Sequence, residues 1–201
     1  MTAVDTLIPI PERAAHRSVK GLIDPDSIVV IGASARRSAV VAEAIAGRTK
    51  SFLVHPSGES ILGEDVYTSV KDLPEKPDCA FMLVGHEPII ELMREALEFG
   101  IRAFVIPGLG AEAGANGAQT FAQVLEIADQ YEAAILGPNC MGMAVPQGGS
   151  MWVANVPKSF RRGHVSVIAQ SGSIADAMLN CGPRVGFRAV FSTGSEGNRD
   201  A

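Results

Sequence analysis

The sequence predicts an α/β fold: a parallel sheet with helices on both faces, followed by the start of a second α/β domain. Three observations predict it. Up to about residue 145, apolar strand-length runs alternate with helix-compatible segments. Most of those runs end in Gly- or Pro-rich turns. After a polar stretch, the strand–turn–helix–strand pattern restarts at His164. Such alternation joins parallel strands by helical crossovers in a Rossmann-like layer arrangement. Right-handed crossovers then bring the strand-end loops to one edge of the sheet.

The elements follow in order. Residues 1–21, with Pro9 and Pro11 ahead of a helix-compatible stretch over 12–20, read as an arm or a first short helix. Ser27-Ile28-Val29-Val30-Ile31 is the pattern of a strand buried on both faces. Gly32-Ala33-Ser34 leads into an Ala-rich helix over 38–46, closed by Gly47. A second strand over 50–54 ends at His55-Pro56, with a short extended piece near Val66 and one helical turn over 69–73. The third strand covers 79–84. Pro88 suits a helix start, where its missing N–H costs nothing, and that helix stops at Gly100. A fourth strand over 103–106 leads through Pro107-Gly108-Leu109-Gly110 to an amphipathic helix over 118–131. A fifth strand over 133–136 runs into Gly137-Pro138-Asn139-Cys140-Met141-Gly142.

Beyond this lies a linker over 147–162 with an extended piece over 152–156. A strand over 164–169, the turn Gln170-Ser171-Gly172-Ser173, a helix over 174–181 and a strand over 189–192 complete the pattern. The expected division is an arm (1–21), a Rossmann-like domain (22–146), a linker (147–162) and the beginning of a second domain (163–201). A single β-α-β unit cannot bury both faces of its sheet. The second domain is therefore expected to be one piece of a larger whole.

Composition narrows the function. Hydrophobic residues make up 47%, enough for a sizeable core, and the net charge of -5 argues against a nucleic-acid surface. Arg36, Arg37, Arg48 and Lys50 fall near one loop, where they form either a local anion site or a solvated basic face. The three cysteines are scattered without a CxxC pair, so neither a metal site nor a disulfide framework is expected, and a reducing cytoplasm fits. No apolar run approaches the roughly 18 residues needed to span a bilayer. The N-terminus lacks the order of a signal peptide.

Several turns are candidate sites. Gly32-Ala33-Ser34-Ala35-Arg36-Arg37 follows a strand and opens a helix, where backbone N–H groups and two guanidinium groups suit a phosphate. The same residues also suit a tight turn with no ligand. The turn is not GxGxxG, and His55 stands where an NAD-binding acid belongs. Tyr67 and Lys71 match YxxxK spacing but fall in a loop, so the match reads as coincidence. Cys140 has no evident His base among the four histidines and reads as pocket lining. Asn139 suits either loop geometry or donation to a ligand. Gln170-Ser171-Gly172-Ser173 lacks the first Gly of GxSxG. It reads as a helix start with Ser171 and Ser173 as caps, or as an anion site.

Together, Val30-Ile31-Gly32-Ala33-Ser34, Gly137-Pro138-Asn139-Cys140-Met141-Gly142 and Ala169-Gln170-Ser171-Gly172-Ser173 resemble the CoA-binding half of NDP-forming acyl-CoA synthetases. This family includes the succinyl-CoA synthetase α subunit and ADP-forming acetyl-CoA synthetase. Gly197, Asn198 and Asp200 add to the resemblance. It implies a CoA-binding domain followed by the start of a flavodoxin-like ligase domain. Gly32, Ala33, Ser34, Arg36, Arg37, His55 and Pro56 would serve the nucleotide and phosphates. Val84, Gly85, Pro107 and Gly108 would line the pantetheine path, with Asn139 and Cys140 at the thiol end. Gln170, Ser171, Gly172 and Ser173 would face a phosphohistidine. In the family, a second-domain His carries phosphate, an acyl phosphate forms, and the CoA thiol attacks it. An ATP-grasp domain or β subunit supplies ATP and ADP.

The implied partners are CoA, a small carboxylic acid and that ATP-grasp partner, in an oligomer. No catalytic residue and no metal site are expected within this chain. Where similar proteins have Asn-Pro-Lys after the second strand, this chain has His55-Pro56-Ser57. Two other readings compete: a CoA- or nucleotide-sensing regulatory module, for example of an acyltransferase, and an NAD(P) oxidoreductase.

Overall fold

The computed structural model describes residues 19–47, 49–109, 114–146 and 149–197. Most of the expected arm, Arg48, Gly110, Asn198 and Asp200 lie outside the described residues. A short helix, α1 (Lys20–Ile23), precedes β1 (Ser27–Ile31). All five β1 residues are buried, as the apolar run requires. β2 (Lys50–Val54) and β4 (Cys79–Met82) flank β1, and β3 (Val66–Tyr67), β5 (Ala103–Val105) and β6 (Ala134–Leu136) complete a six-stranded sheet. Its order is β3-β2-β1-β4-β5-β6 and every neighbouring pair is parallel.

Strand pleating sorts the core into two layers. Val29 and Ile31 join a cluster under α3 (Ile89–Glu98) and α4 (Gly114–Gln130), with Met93, Leu97 and Val124. Ile28 and Val30 face the other way, with Val41 and Ala44 of α2 (Ser38–Ile45) and Phe81 of β4. Alternate residues pointing to opposite faces explain why a continuous apolar run is needed here. Each fully buried aliphatic chain contributes about 1.5–3 kcal/mol relative to exposure. Helices on both faces of a parallel sheet are therefore observed as expected.

Helix α4 begins at Gly114, ahead of the expected Ala118. Gly117 is buried inside it, and packing outweighs the weak helix propensity of Gly and Asn.

A second sheet has the order β8-β7-β10-β9, built from β7 (Gly142–Ala144), β8 (Met151–Trp152), β9 (Arg161–Ala169) and β10 (Gly186–Ser192). β9 and β10 are parallel and joined through α5 (Gly172–Leu179), the β-α-β unit read from the sequence. β7 and β8 add antiparallel strands that the sequence reading left in the first domain and the linker. Residues 142–144 thus lie inside the span expected for the first domain, yet pair with β10. Three-residue and two-residue strands carry too little periodicity to be read locally. Trp152, Ala175, Leu179, Phe187 and Val190 form the small core between this sheet and α5. β9 also starts at Arg161, inside the expected linker.

Candidate functional site

The large sheet reverses its strand order between β1 and β4. Crevices at such a switch point, outside the carboxyl ends of strands, hold ligands in open α/β sheets. A groove of about 390 Å³ opens there, lined by Arg37, Val84, Gly85, His86, Pro107 and Gly108 among others. It shares Pro107 and Val153 with a second hollow of about 500 Å³. Asn139, Cys140, Gln170, Ser171, Gly172 and Ser173 bound that second hollow. The two hollows therefore adjoin at Pro107 and Val153, the first bounded by the 84–85 and 107–108 turns and the second by the start of α5. Five of the expected residues line the first hollow and seven the second, Pro107 lining both.

Gly32, Ala33, Ser34, Arg36, His55 and Pro56 line neither hollow. Gly32 has φ +88, and a Cβ there would lie 2.4 Å from the Leu83 carbonyl oxygen. Only glycine lets the ends of β1 and β4 approach this closely. The N–H groups of Gly32 and Ala33 donate to the Val54 carbonyl at 2.9 and 3.2 Å. They tie β1 to β2. Ser34 is half-buried and precedes a single 3-10 turn over Ala35–Arg37. Arg36 is exposed on that turn, and Arg37 turns into the groove. Among the described residues neither guanidinium has a hydrogen-bond or ion-pair partner. His55 contacts the Ser57 hydroxyl through Nδ1 at 2.9 Å, and Pro56 is exposed beside it.

Three loops interlock at the far end of the path. Asn139 adopts φ +58, in the left-handed region that Asn tolerates, and its N–H donates to the Gly108 carbonyl at 2.8 Å. The loop after β10 docks on the loop after β6: Ser195 N–H donates to Pro138 O and Gly197 N–H to Gly137 O, both at 2.8 Å. The Asn139 amide reaches the Ser195 hydroxyl at 3.5 Å. Gln170 donates from Nε2 to the Gly194 carbonyl at 2.8 Å. Ser171 caps α5, its hydroxyl accepting from Ile174 N–H at 3.4 Å. The Ala175 N–H donates to the Ser171 carbonyl at 3.1 Å, and Ser171, Gly172 and Ser173 at this helix start line the hollow. Gly172 packs on Met141, whose side chain a Cβ would meet at 2.6 Å.

Cys140 faces this hollow but is only 6% exposed. Its thiol donates to the carbonyls of Ile106 and Leu136 at 3.5 and 3.6 Å. Burial pushes its pKa up from the ordinary 9.0 to about 12, against smaller lowering effects of backbone hydrogen bonds. The thiolate is the nucleophilic form of cysteine, so at neutral pH this thiol is a wall.

Sequence reasoning missed Val153 as a wall common to both hollows. An extended piece was expected there, but its destination depends on β8 pairing with β7, for which the sequence carries no local signal. His86 lies in a strand-end loop that the alternation pattern did point to. Among the described residues, no group of three or more His, Cys, Asp or Glu could hold a metal. No described helix is long and apolar enough to cross a membrane.

Residues 26–146 match the profile of the CoA-binding domain family. The chain belongs to that family. The match covers the large sheet, the 137–142 loop and the switch-point groove apart from Val153. A curated relative, the 4-hydroxybutyrate–CoA ligase (ADP-forming) of Nitrosopumilus maritimus, is 28% identical over 187 residues, covering 87% of this chain and 26% of the relative. The α subunit of acetate–CoA ligase (ADP-forming) II of Pyrococcus furiosus is 28% identical over 158 residues, covering 75% of this chain and 33% of the subunit. The crystal structure of PH0766 from Pyrococcus horikoshii aligns at a TM-score of 0.80 with 26% identity, covering 91% of this chain and 43% of that one. The chain thus spans about a quarter to two fifths of the length of these relatives. The resemblance read from the 32–34, 137–142 and 170–173 motifs and these relatives agree on the family.

Proposed function

We propose that this chain is the CoA-binding part of an NDP-forming acyl-CoA synthetase, which turns a carboxylic acid, CoA and ATP into acyl-CoA, ADP and phosphate. The observation that carries this reading is the pair of adjoining hollows that runs from Arg37, past the shared walls Pro107 and Val153, to the start of α5. The chemistry of the path suits CoA. An unpartnered guanidinium stands at one end for phosphate. The middle is walled by the Val84, Pro107 and Gly108 turns, suited to a flexible pantetheine arm. The other end meets a second domain at Asn139 and Cys140. Gly32, Ala33, Ser34, Arg36, His55 and Pro56 stand on the same sheet edge beside the nucleotide end. The protonated Cys140 thiol does not compete with the thiol of CoA for an acyl group.

In the same proposal, Ser171, Gly172 and Ser173 present a helix start to a phosphate carried by a histidine outside this chain. Gln170 holds the neighbouring loop in place. ATP is handled by an ATP-grasp region or β subunit, and the assembly is an oligomer working in the cytoplasm. β9 is the outer strand of its sheet, and Ile168 and Ile174 are 59% and 54% exposed. Apolar surface of that kind suits a covering partner. The acid is a small one. Relatives are named for acetate, 4-hydroxybutyrate and the larger trans-feruloyl group, and their being acyl-CoA-forming enzymes favours a synthetase over a sensing module.

Calorimetry of the chain with CoA, dephospho-CoA and NAD tests the reading. Micromolar CoA binding, weaker for dephospho-CoA, is expected. NAD binding with none of CoA would overturn it.

A further inference from the structure

The β9–β10 ladder breaks twice, and both breaks put cations into one cleft. Pairing runs Gly186↔Arg161, then Phe187↔Val165, then Ala189↔Ser166. The first step passes over Arg162, Gly163 and His164 on β9; the second passes over Arg188 on β10. Gly163 and Gly186 meet backbone to backbone at the first break, where a Cβ on Gly163 would lie 2.3 Å from Gly186. Residues left out of a ladder at a bulge have their side chains re-aimed. Arg162, His164 and Arg188 all line a cleft of about 890 Å³.

This cleft is separate from the CoA path. Its opposite wall holds Pro25, ahead of β1, and Thr49, ahead of β2. It therefore lies at the amino edge of the large sheet, whereas the CoA path lies at the carboxyl edge. Among the described residues, none of these three side chains has a hydrogen-bond or ion-pair partner. Asp24 is the one acid among the described lining residues. Two guanidinium groups and an imidazole against one carboxylate make the cleft cationic on a chain of net charge -5. Met143 and Phe191 add apolar wall. The volume falls in the usual range of about 300–1,000 Å³ for small-molecule sites.

We propose that this cleft binds a small polyphosphate anion of the pyrophosphate or nucleoside diphosphate class, clamped between Arg162 and Arg188. Planar guanidinium groups bind phosphate oxygens two at a time. His164 closes the third side, and the organic part of a nucleotide has Met143 and Phe191 to lie on.

The test is calorimetry and proton NMR of the 201-residue chain, saturated with CoA so that the path at the carboxyl edge is filled, with inorganic pyrophosphate, then with ADP as competitor. One saturable site is expected. The R162Q/R188Q double variant weakens it by at least about tenfold, while R37Q, altered on the CoA path, leaves it unchanged. The His164 imidazole resonance moves on titration and that of His86 does not. If the double variant fails to fold, as read by thermal melting, the His164 shift in the unaltered chain decides alone. Absence of saturable binding, loss of binding in R37Q instead, or an unmoved His164 resonance overturns the proposal. ADP that fails to displace pyrophosphate overturns the nucleotide half of it.

Discussion

Gln170 and Gly194 hold each other through two hydrogen bonds. The Gly194 N–H donates to the Gln170 carbonyl at 3.1 Å, and the Gln170 amide donates back to the Gly194 carbonyl at 2.8 Å. This reciprocal pair keeps the loop after β10 against the start of α5. Replacing Gln170 by Ala removes one bond and costs about 1 kcal/mol. Q170E costs more, because a carboxylate cannot donate and would face a carbonyl oxygen. Urea unfolding measures the loss. Hydrogen exchange at Gly194 shows whether it is local to the loop.

The same loop leaves no room for a side chain at its tightest point. Gly194 has φ +61 and is buried, and a Cβ would lie 2.2 Å from the Asn139 carbonyl oxygen. G194A is expected to destabilise by about 2–4 kcal/mol, from left-handed strain and backbone overlap together. Gly85 is the matched control: a Cβ there meets nothing within 4 Å. G85A should leave the melting temperature close to that of the parent. A G194A protein as stable as G85A would show that the two loops do not dock as described.

Cys140 makes stability depend on pH in one direction. Burial raises its folded pKa from 9.0 to about 12. The folded chain then holds a proton that the unfolded chain has lost, so stability falls as pH rises. The contribution is complete below pH 9 and is lost on the way to 12. Burial pushes Cys79 the same way, with the Asp78 carboxylate adding to it. C140A should flatten this alkaline loss in denaturation curves. Alkylation of the native chain near about pH 8 should mark exposed Cys181 first and reach Cys140 only on unfolding.

Ser57 stands where the family resemblance implies a lysine after the second strand, and it is exposed. S57K should tighten CoA by up to about fivefold at low salt. The gain should fade as ionic strength rises. R37Q should weaken CoA by about tenfold. Calorimetry at two salt concentrations separates the effects. No response to either change would remove the phosphate end from this sheet edge.

Much of the fold was legible because its determinants are local. The 27–31 run has the pattern of a strand buried on two faces, and the structure makes it a central strand of the sheet. Gly32, Gly100 and Gly137 each end or turn an element with positive φ, where glycine chemistry is legible one residue at a time. The 137–142 and 170–173 motifs marked two sides of one hollow without showing that they meet.

The sequence by itself determined the alternating strands and helices, the common edge of their loops and the family resemblance. Those follow from periodicity, turn residues and short motifs along the chain. Only the tertiary structure decided that residues 142–144 and 151–152 join the second sheet, that Val153 walls both hollows, and that Gln170 grips Gly194. It alone also decided that Arg162 and Arg188 share a cleft at the opposite edge. The physical reason is that these relationships come from strand register and docking between segments distant in sequence, where a short strand or a single polar contact leaves no periodic trace.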